Sequence, residues 1–209
     1  IPNAYNPRAF KSDDSKAKSS LAMLGLGAND FVFGFVGSIL PFHGVDLLIE
    51  AFAEIKQEFT HSKLIVVGDG MSLESLKLLA KQRGVAESVV FTGKVKHTEV
   101  QYYVRMMDVT IMAKSNWYGS PVKIFEYGAM KKAIIAPNVV PVRDVMQDEI
   151  DGLLIEGSQQ DLVKAMKRMV SNKLLKEKLA NQFYKKVTQH HTWEKNTRKV
   201  EVIMKELIQ

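Results

Sequence analysis

A chain of 209 residues, 46% of them hydrophobic, is long enough to bury a continuous core and too apolar to stay disordered over most of its length. It holds no cysteine, which removes disulfides, zinc–thiolate centres and thiol nucleophiles together and suits a reducing compartment. The net charge of +6 fits an ordinary solvated surface, an anionic membrane surface or a phosphorylated ligand better than nucleic acid, because the excess cations between positions 164 and 199 are scattered over helix faces and form no block.

The opening Ile1-Pro2-Asn3 reads as the interior of a longer protein, and residues 11–30 as a polar lead-in with a short helix around 15–24. From residue 31 the pattern changes. Phe31–Val36 is a short apolar run ending at Gly37, the signature of a fully buried strand. Apolar residues at helical spacing (Val45, Leu48, Ile49, Phe52, Ile55, Phe59) then predict a helix over 44–58. The alternation repeats, with strands over 64–67, 89–91, 109–112, 133–136 and 153–155. Helices over 72–83, 97–106 and 121–130 separate them, and a short one near 142–147 precedes the last strand. Three helices follow, at about 159–170, 173–187 and 193–208, and the last carries an apolar stripe of Val200, Ile203, Met204 and Leu207. No apolar run reaches about 18 residues, so no membrane-spanning helix is expected.

Continuous apolar strands alternating with helices indicate an α/β fold, a Rossmann-like doubly wound parallel sheet with helices on both faces. Such sheets bind ligands beyond the carboxyl ends of their strands. The loops to weigh are therefore 37–44, 68–71, 93–97, 114–121 and 137–141. In the second of these, Gly68 and Gly70 flank Asp69 between a strand and a helix. Glycine lets backbone approach a ligand there and presents helix amides to an anion, although a plain tight turn uses the same residues. Position 73 is Leu, so the dinucleotide fingerprint is incomplete, and no Walker A lysine run exists.

The run Gly119-Ser120-Pro121-Val122-Lys123-Ile124-Phe125-Glu126 says more. Ser120 is placed to cap a helix beginning at Pro121, where a missing N–H costs nothing. The amides of Val122 and Lys123 would then point into the crevice. A lysine in a first helical turn is disfavoured by the helix dipole, and Lys123 makes sense there if it answers an anion such as a diphosphate. Glu126 shares its face three residues on. A carboxylate suits a ribose diol better than a phosphate, and an ordinary ion pair with Lys123 is the plainer reading. Among the histidines, His190 and His191 read as a solvated turn before a helix capped by Thr192, His97 stands near a helix start and His61 in a polar loop. Trp117 and Tyr118 either cover a sugar or pack on the domain.

These residues, in this order, resemble the C-terminal domain of family 4 glycosyltransferases of the GT-B fold. The resemblance runs from Ile1-Pro2-Asn3-Ala4 with Phe10, through 35–51, 89–95, 120–130, 134–137 and 151–155, to Thr192-Trp193. It implies a retaining transferase that moves a sugar from a nucleotide-diphosphate donor, UDP- or GDP-linked, to a glycan or lipid-linked acceptor, with no metal or other cofactor. Three parts follow from it: an interdomain segment and lead-in (1–30), the nucleotide-sugar-binding domain (31–190), and a helix (191–209) that would cross back to an N-terminal half holding the acceptor. The implied catalytic residues are Lys123 and Glu126, the latter matching the second glutamate of the family's paired-glutamate motif. The implied donor contacts are Gly37, Ser38, His43, Gly68, Gly70, Lys94, Val95, Ser120, Pro121, Val122, Lys123 and Glu126. This half alone would transfer nothing, and the whole protein would be cytoplasmic, peripheral to the inner membrane face.

The sequence departs from the family at three places. Ser38 stands where an arginine is common, His43 where a lysine is common, and Tyr118 where the first glutamate would fall. Ser38 replaces no cation, whereas His43 remains able to donate a hydrogen bond, or a charge if its pKa is raised. Lys123 is the expected compensation. Two other readings are a sugar-nucleotide epimerase of the same fold, whose acid and base groups the sequence does not supply, and a non-catalytic α/β nucleotide-binding or receiver-like module. The last would need an acidic pair after the first strand, and Asp69 is the sole strand-end candidate.

Overall fold

A strand that is apolar on both faces has to be covered on both faces, and in the computed structural model every such run lies inside one parallel sheet. The structure describes residues 1–10, 24–115 and 119–208. The helix expected around 15–24 falls almost wholly outside these residues, as do Trp117 and Tyr118.

The strands are β1 (Phe31–Val36), β2 (Ser62–Val67), β3 (Val89–Gly93), β4 (Val109–Ile111), β5 (Ala133–Pro137) and β6 (Leu153–Ile155). Their order in the sheet is β3-β2-β1-β4-β5-β6 and every pairing is parallel. The chain therefore reverses its direction of winding between β1 and β4, and the crevice of such a sheet opens there. Side chains of β1 divide by the strand period, Phe33 and Phe35 into one core and Val32 and Val36 into the other.

Helices α1 (Val45–Glu58), α2 (Leu73–Gln82) and α6 (Gln159–Ser171) cover the first face. On the second lie α3 (His97–Met106), α4 (Val122–Ala129) and the short α5 (Val140–Arg143). Helix α7 (Lys173–His190) straddles the two, with Leu179 and Ala180 in one core and Phe183 and Val187 in the other. Capping follows the local chemistry: Ser158 accepts from the Asp161 amide at the start of α6, and Asn172 from the Leu175 amide at the start of α7. An ion pair ties α7 to the sheet. Lys176 Nζ lies 2.8 Å from Asp108 Oδ1 and 4.7 Å from the centre of the Phe31 ring, while Asp108 Oδ2 accepts from the Val32 amide.

The last helix, α8 (Trp193–Ile208), exposes Val200, Ile203, Met204 and Leu207, the stripe expected from its spacing. Thr192 Oγ1 accepts from the Lys195 amide at 3.3 Å, so the expected cap forms. The expectation of a solvated turn fails for His191. Its backbone carbonyl accepts from Tyr5 N at 3.1 Å and its ring packs 5.1 Å from that of Phe125, so the chain's first residues cover it. Burial, with Lys199 and Lys186 nearby, pulls its pKa down to about 4. Among the described residues no helix is long and apolar enough to cross a membrane.

The loops after β1 and β2 interlock through backbone. Gly37 N donates to Val67 O, Gly68 N to Gly93 O, and Ile39 N to Asp69 O, all between 2.9 and 3.1 Å. Gly68 has φ +135°, and a Cβ there would stand 1.9 Å from the Gly37 carbonyl oxygen. Only glycine fits. Gly84→Ala is the control, since its φ is also positive but a Cβ would meet nothing within 4 Å. Urea denaturation should show Gly68→Ala costing about 2–4 kcal/mol and Gly84→Ala about 1 kcal/mol. Equal losses would mean that the close approach of the two loops contributes nothing.

Candidate functional site

The carboxyl ends of β1, β2 and β3 and the amino end of α4 enclose an open cleft of about 820 Å³. Its floor is the interlocked backbone of Gly37, Gly68 and Gly70. Lys94 and Val95, which follow β3, form one wall, and Val122, Lys123 and Glu126 form the opposite one, with Ser38 at the rim. Nine of the twelve expected donor contacts are thereby brought together. The other three, His43, Ser120 and Pro121, line a smaller neighbouring cavity of about 170 Å³, which Lys123 also borders.

Helix α4 is held in place by its buried side. Ile124, Phe125 and Tyr127 are fully buried, and the Tyr127 hydroxyl accepts from the Val36 amide at 2.9 Å, fastening α4 to the end of β1. Burial pushes that phenol well above its usual pKa, so it remains a neutral strut. The start of α4 differs from the expectation. Pro121 has extended backbone (φ −75°, ψ 116°) and is itself the N-cap, the helix begins at Val122, and no side chain caps it. Ser120 is therefore one residue too early to cap. Its hydroxyl and carbonyl oxygens instead accept from Asn3, at 3.1 Å from the backbone N and 2.5 Å from Nδ2.

Lys123 consequently occupies the second position of a helix whose dipole repels it. Its Nζ is buried, has no hydrogen-bond partner, and lies 4.5 Å from the centre of the Phe35 ring. Burial lowers its pKa from 10.5 to about 8, with Glu126 pulling the other way. Space for it exists because residue 37 is glycine: a Cβ there would stand 2.7 Å from Nζ.

Glu126 is mostly buried, and its Oε1 lies 3.4 Å from His97 Nε2. Burial raises its pKa, while His97 and Lys123 act to lower it. His97 is the residue the sequence undervalued. It stands at the start of α3 as expected, yet it lines the cleft and holds Glu126 from the opposite side, with Phe10 edge-on to its ring at 5.7 Å.

His43 is corrected in the other direction. Its Nδ1 lies 2.6 Å from the Ser38 carbonyl oxygen, which can only accept, so the neutral ring's single N–H is already used and Nε2 is an acceptor. Burial and the nearby Lys123 charge lower its pKa rather than raise it. Lys123 is thus the buried cation of the cleft, and His43 adds no second one at neutral pH. Asp69, the strand-end acid, accepts from the Gly70 amide at 2.8 Å and serves its turn. Among the described residues no group of three or more His, Asp or Glu side chains is arranged to hold a metal ion.

Comparison with known proteins places this architecture. The family model for glycosyl transferases group 1 matches residues 20–190. The GDP-mannose-dependent α-(1-6)-phosphatidylinositol monomannoside mannosyltransferase of Mycobacterium tuberculosis is 30% identical over 169 residues, covering 78% of this chain and 44% of the relative. HepE from Anabaena, solved with UDP and glucose, superposes with a TM-score of 0.86 at 19% identity over 97% of this chain and 55% of that one. The C-terminal domain of the group 1 protein LpcC from Francisella tularensis, solved alone, superposes with a TM-score of 0.81 at 21% identity, over 91% of this chain and all of that one. At those identities the structural likeness is one of fold, and it is to half of a GT-B enzyme. The chain spans about half the length of the relatives it matches. With the family match running through the sheet, the glycine loops and helix α4, this chain belongs to the group 1 glycosyl transferases.

Proposed function

We propose that this chain is the donor half of a retaining glycosyltransferase that takes a sugar from a UDP- or GDP-linked donor without a metal. The observation that carries the reading is the buried, unpartnered ammonium of Lys123 at the amino end of α4, inside a cleft floored by glycine backbone. A cation so placed is costly to the folded protein unless an anion answers it. A nucleoside diphosphate supplies that anion, and as the sugar leaves, the bond between its anomeric carbon and the diphosphate oxygen breaks and charge grows on the oxygen. Lys123 and the first amides of α4 are preorganised to stabilise it. Glu126, oriented by His97, accepts from the ribose hydroxyls, and the backbone after Gly93, with Lys94 and Val95, contacts the base.

The acceptor, a glycan or lipid-linked sugar, and the remaining catalytic groups belong to a second half packed on the exposed stripe of α8. The mycobacterial relative is named for a phosphatidylinositol-linked acceptor. That supports work at the inner membrane face, where the basic surface would assist. The mycobacterial relative is named a mannosyltransferase and LpcC a group 1 glycosyl transferase, which lends the epimerase reading no support. No acidic pair follows β1 in the sequence, so a receiver-like module gains no support either.

Titration of this chain with UDP, GDP and pyrophosphate tests the reading. At pH 7, Lys123→Met should weaken all three by about tenfold or more, the value of a lost charge-assisted contact. Glu126→Ala should weaken the nucleotides about tenfold and leave pyrophosphate unchanged. If no diphosphate binds, or if Lys123→Met binds as well as the unmodified chain, the reading fails.

Lys123 also sets a pH dependence. Only its protonated form attracts the diphosphate, so affinity should fall as pH rises through about 8 in the unmodified chain, and the fall should be absent in Lys123→Met. Stability runs the opposite way. The unfolded lysine keeps its proton up to its usual pKa of 10.5 and the folded one loses it near 8, so between those values the unfolded state binds more protons and stability rises with pH. The shift corresponds to roughly 3 kcal/mol held against the ligand-free fold at pH 7. Lys123→Met should therefore stabilise the empty protein by about 2–3 kcal/mol at pH 7, and by progressively less from pH 8 to above pH 10. Paired urea melts of both proteins at several pH values would read this; a destabilised Lys123→Met at pH 7 would refute it.

A further inference from the structure

We propose that Asn3 is a positioning residue for the anion-binding end of α4, so that the segment entering the domain sets the aim of the amides at the cleft. The inference rests on the donor reading above and adds a residue that does not touch the ligand. Two hydrogen bonds join Asn3 to Ser120 across 117 positions of sequence, its N–H to Oγ at 3.1 Å and its Nδ2 to the carbonyl oxygen at 2.5 Å. The second fixes the plane of the Ser120–Pro121 peptide. Pro121 cannot rotate about φ, so its ψ is the single soft torsion between the plane that Asn3 holds and the amide of Val122, the first residue of the helix.

The buried side of α4 fixes the helix body, but no side chain fixes its first turn. The helix has no side-chain cap, and Pro121 has no side-chain oxygen with which to supply one. Asn3 is itself held from behind. Pro2 O accepts from Asn196 Nδ2 at 2.8 Å, Tyr5 N donates to His191 O at 3.1 Å, and Trp193 N donates to Tyr5 O at 3.3 Å. Residues 2–5 therefore form a tie between the root of α8 and the loop before α4. The Ser120 hydroxyl, one residue too early to cap α4, accepts from the Asn3 backbone and adds a second tether to the same loop.

The test uses this chain and pyrophosphate, whose binding needs the amides and Lys123 but no ribose or base contact. Asn3→Asp keeps the size of the side chain and replaces the Nδ2 donor with an oxygen that repels the Ser120 carbonyl. It should weaken pyrophosphate and UDP alike, by about fivefold to tenfold, the worth of misdirected charge-assisted hydrogen bonds. Ser120→Ala, which removes only the hydroxyl, should weaken both by less. In each variant the amide NMR resonances of Val122 and Lys123 should move in the ligand-free protein, with those of Lys94 and Val95 in place. A merely structural Asn3 would lower the melting temperature and leave pyrophosphate affinity unchanged below it. That outcome overturns the proposal while leaving the donor reading intact, because Lys123→Met would still bind weakly. Failure of the unmodified chain to bind pyrophosphate or UDP overturns both. Should Asn3→Asp not fold, Asn3→Ser, which keeps a short hydroxyl donor, must show the same ordered loss, and undiminished pyrophosphate binding by it rejects the role.

Discussion

A charged ammonium kept out of water with nothing to bond to is the constraint around which this domain is organised. A lysine in the first turn of α4 gains nothing from the helix and loses solvation, so α4 has to be fixed by other contacts. The sheet supplies them: the Tyr127 hydroxyl on the Val36 amide, and Ile124 and Phe125 in the core. Phe35 offers the ammonium the face of its ring, and the missing side chain at Gly37 leaves it room. On the donor reading, Lys123 Nζ is where stability and binding oppose each other most directly, above a floor of glycine backbone and beside the buried carboxylate of Glu126.

Much of this is legible along the chain because the strands are covered on both sides. A strand such as β1, with Val32 and Val36 in one core and Phe33 and Phe35 in the other, shows an unbroken apolar run that a half-exposed strand would not. The ends are less legible. β2 begins at Ser62, earlier than its apolar residues suggest, because Ser62 pairs with Phe31 and its carbonyl accepts from Lys56. α7 runs on to His190 because Phe183 and Val187 keep one side of its last turns in the core.

The site divides in the same way. Lys123 and Glu126 can be found from sequence since both belong to one helix and their spacing puts them on one face. The roles of Ser120, His97 and His191 cannot, because each is fixed by a group remote in sequence: Asn3 for the first, Glu126 for the second, Tyr5 and Phe125 for the third. His43 misleads for a subtler reason. Its position beside the cleft is right, but a carbonyl five residues back takes its proton donor and a neighbouring cation disfavours a second proton. Spacing conveys which residues are near each other, whereas protonation depends on everything that surrounds them.

Pro121 gives the helix a start that no serine, threonine or aspartate would improve without harm. Any of those residues at this position would turn its own oxygen onto the amides of α4 and make a more stable helix. That oxygen would also be a ligand permanently tethered at millimolar or higher effective concentration, competing with any anion for the same amides. If the donor reading holds, a proline with no acceptor leaves those amides open to the ligand.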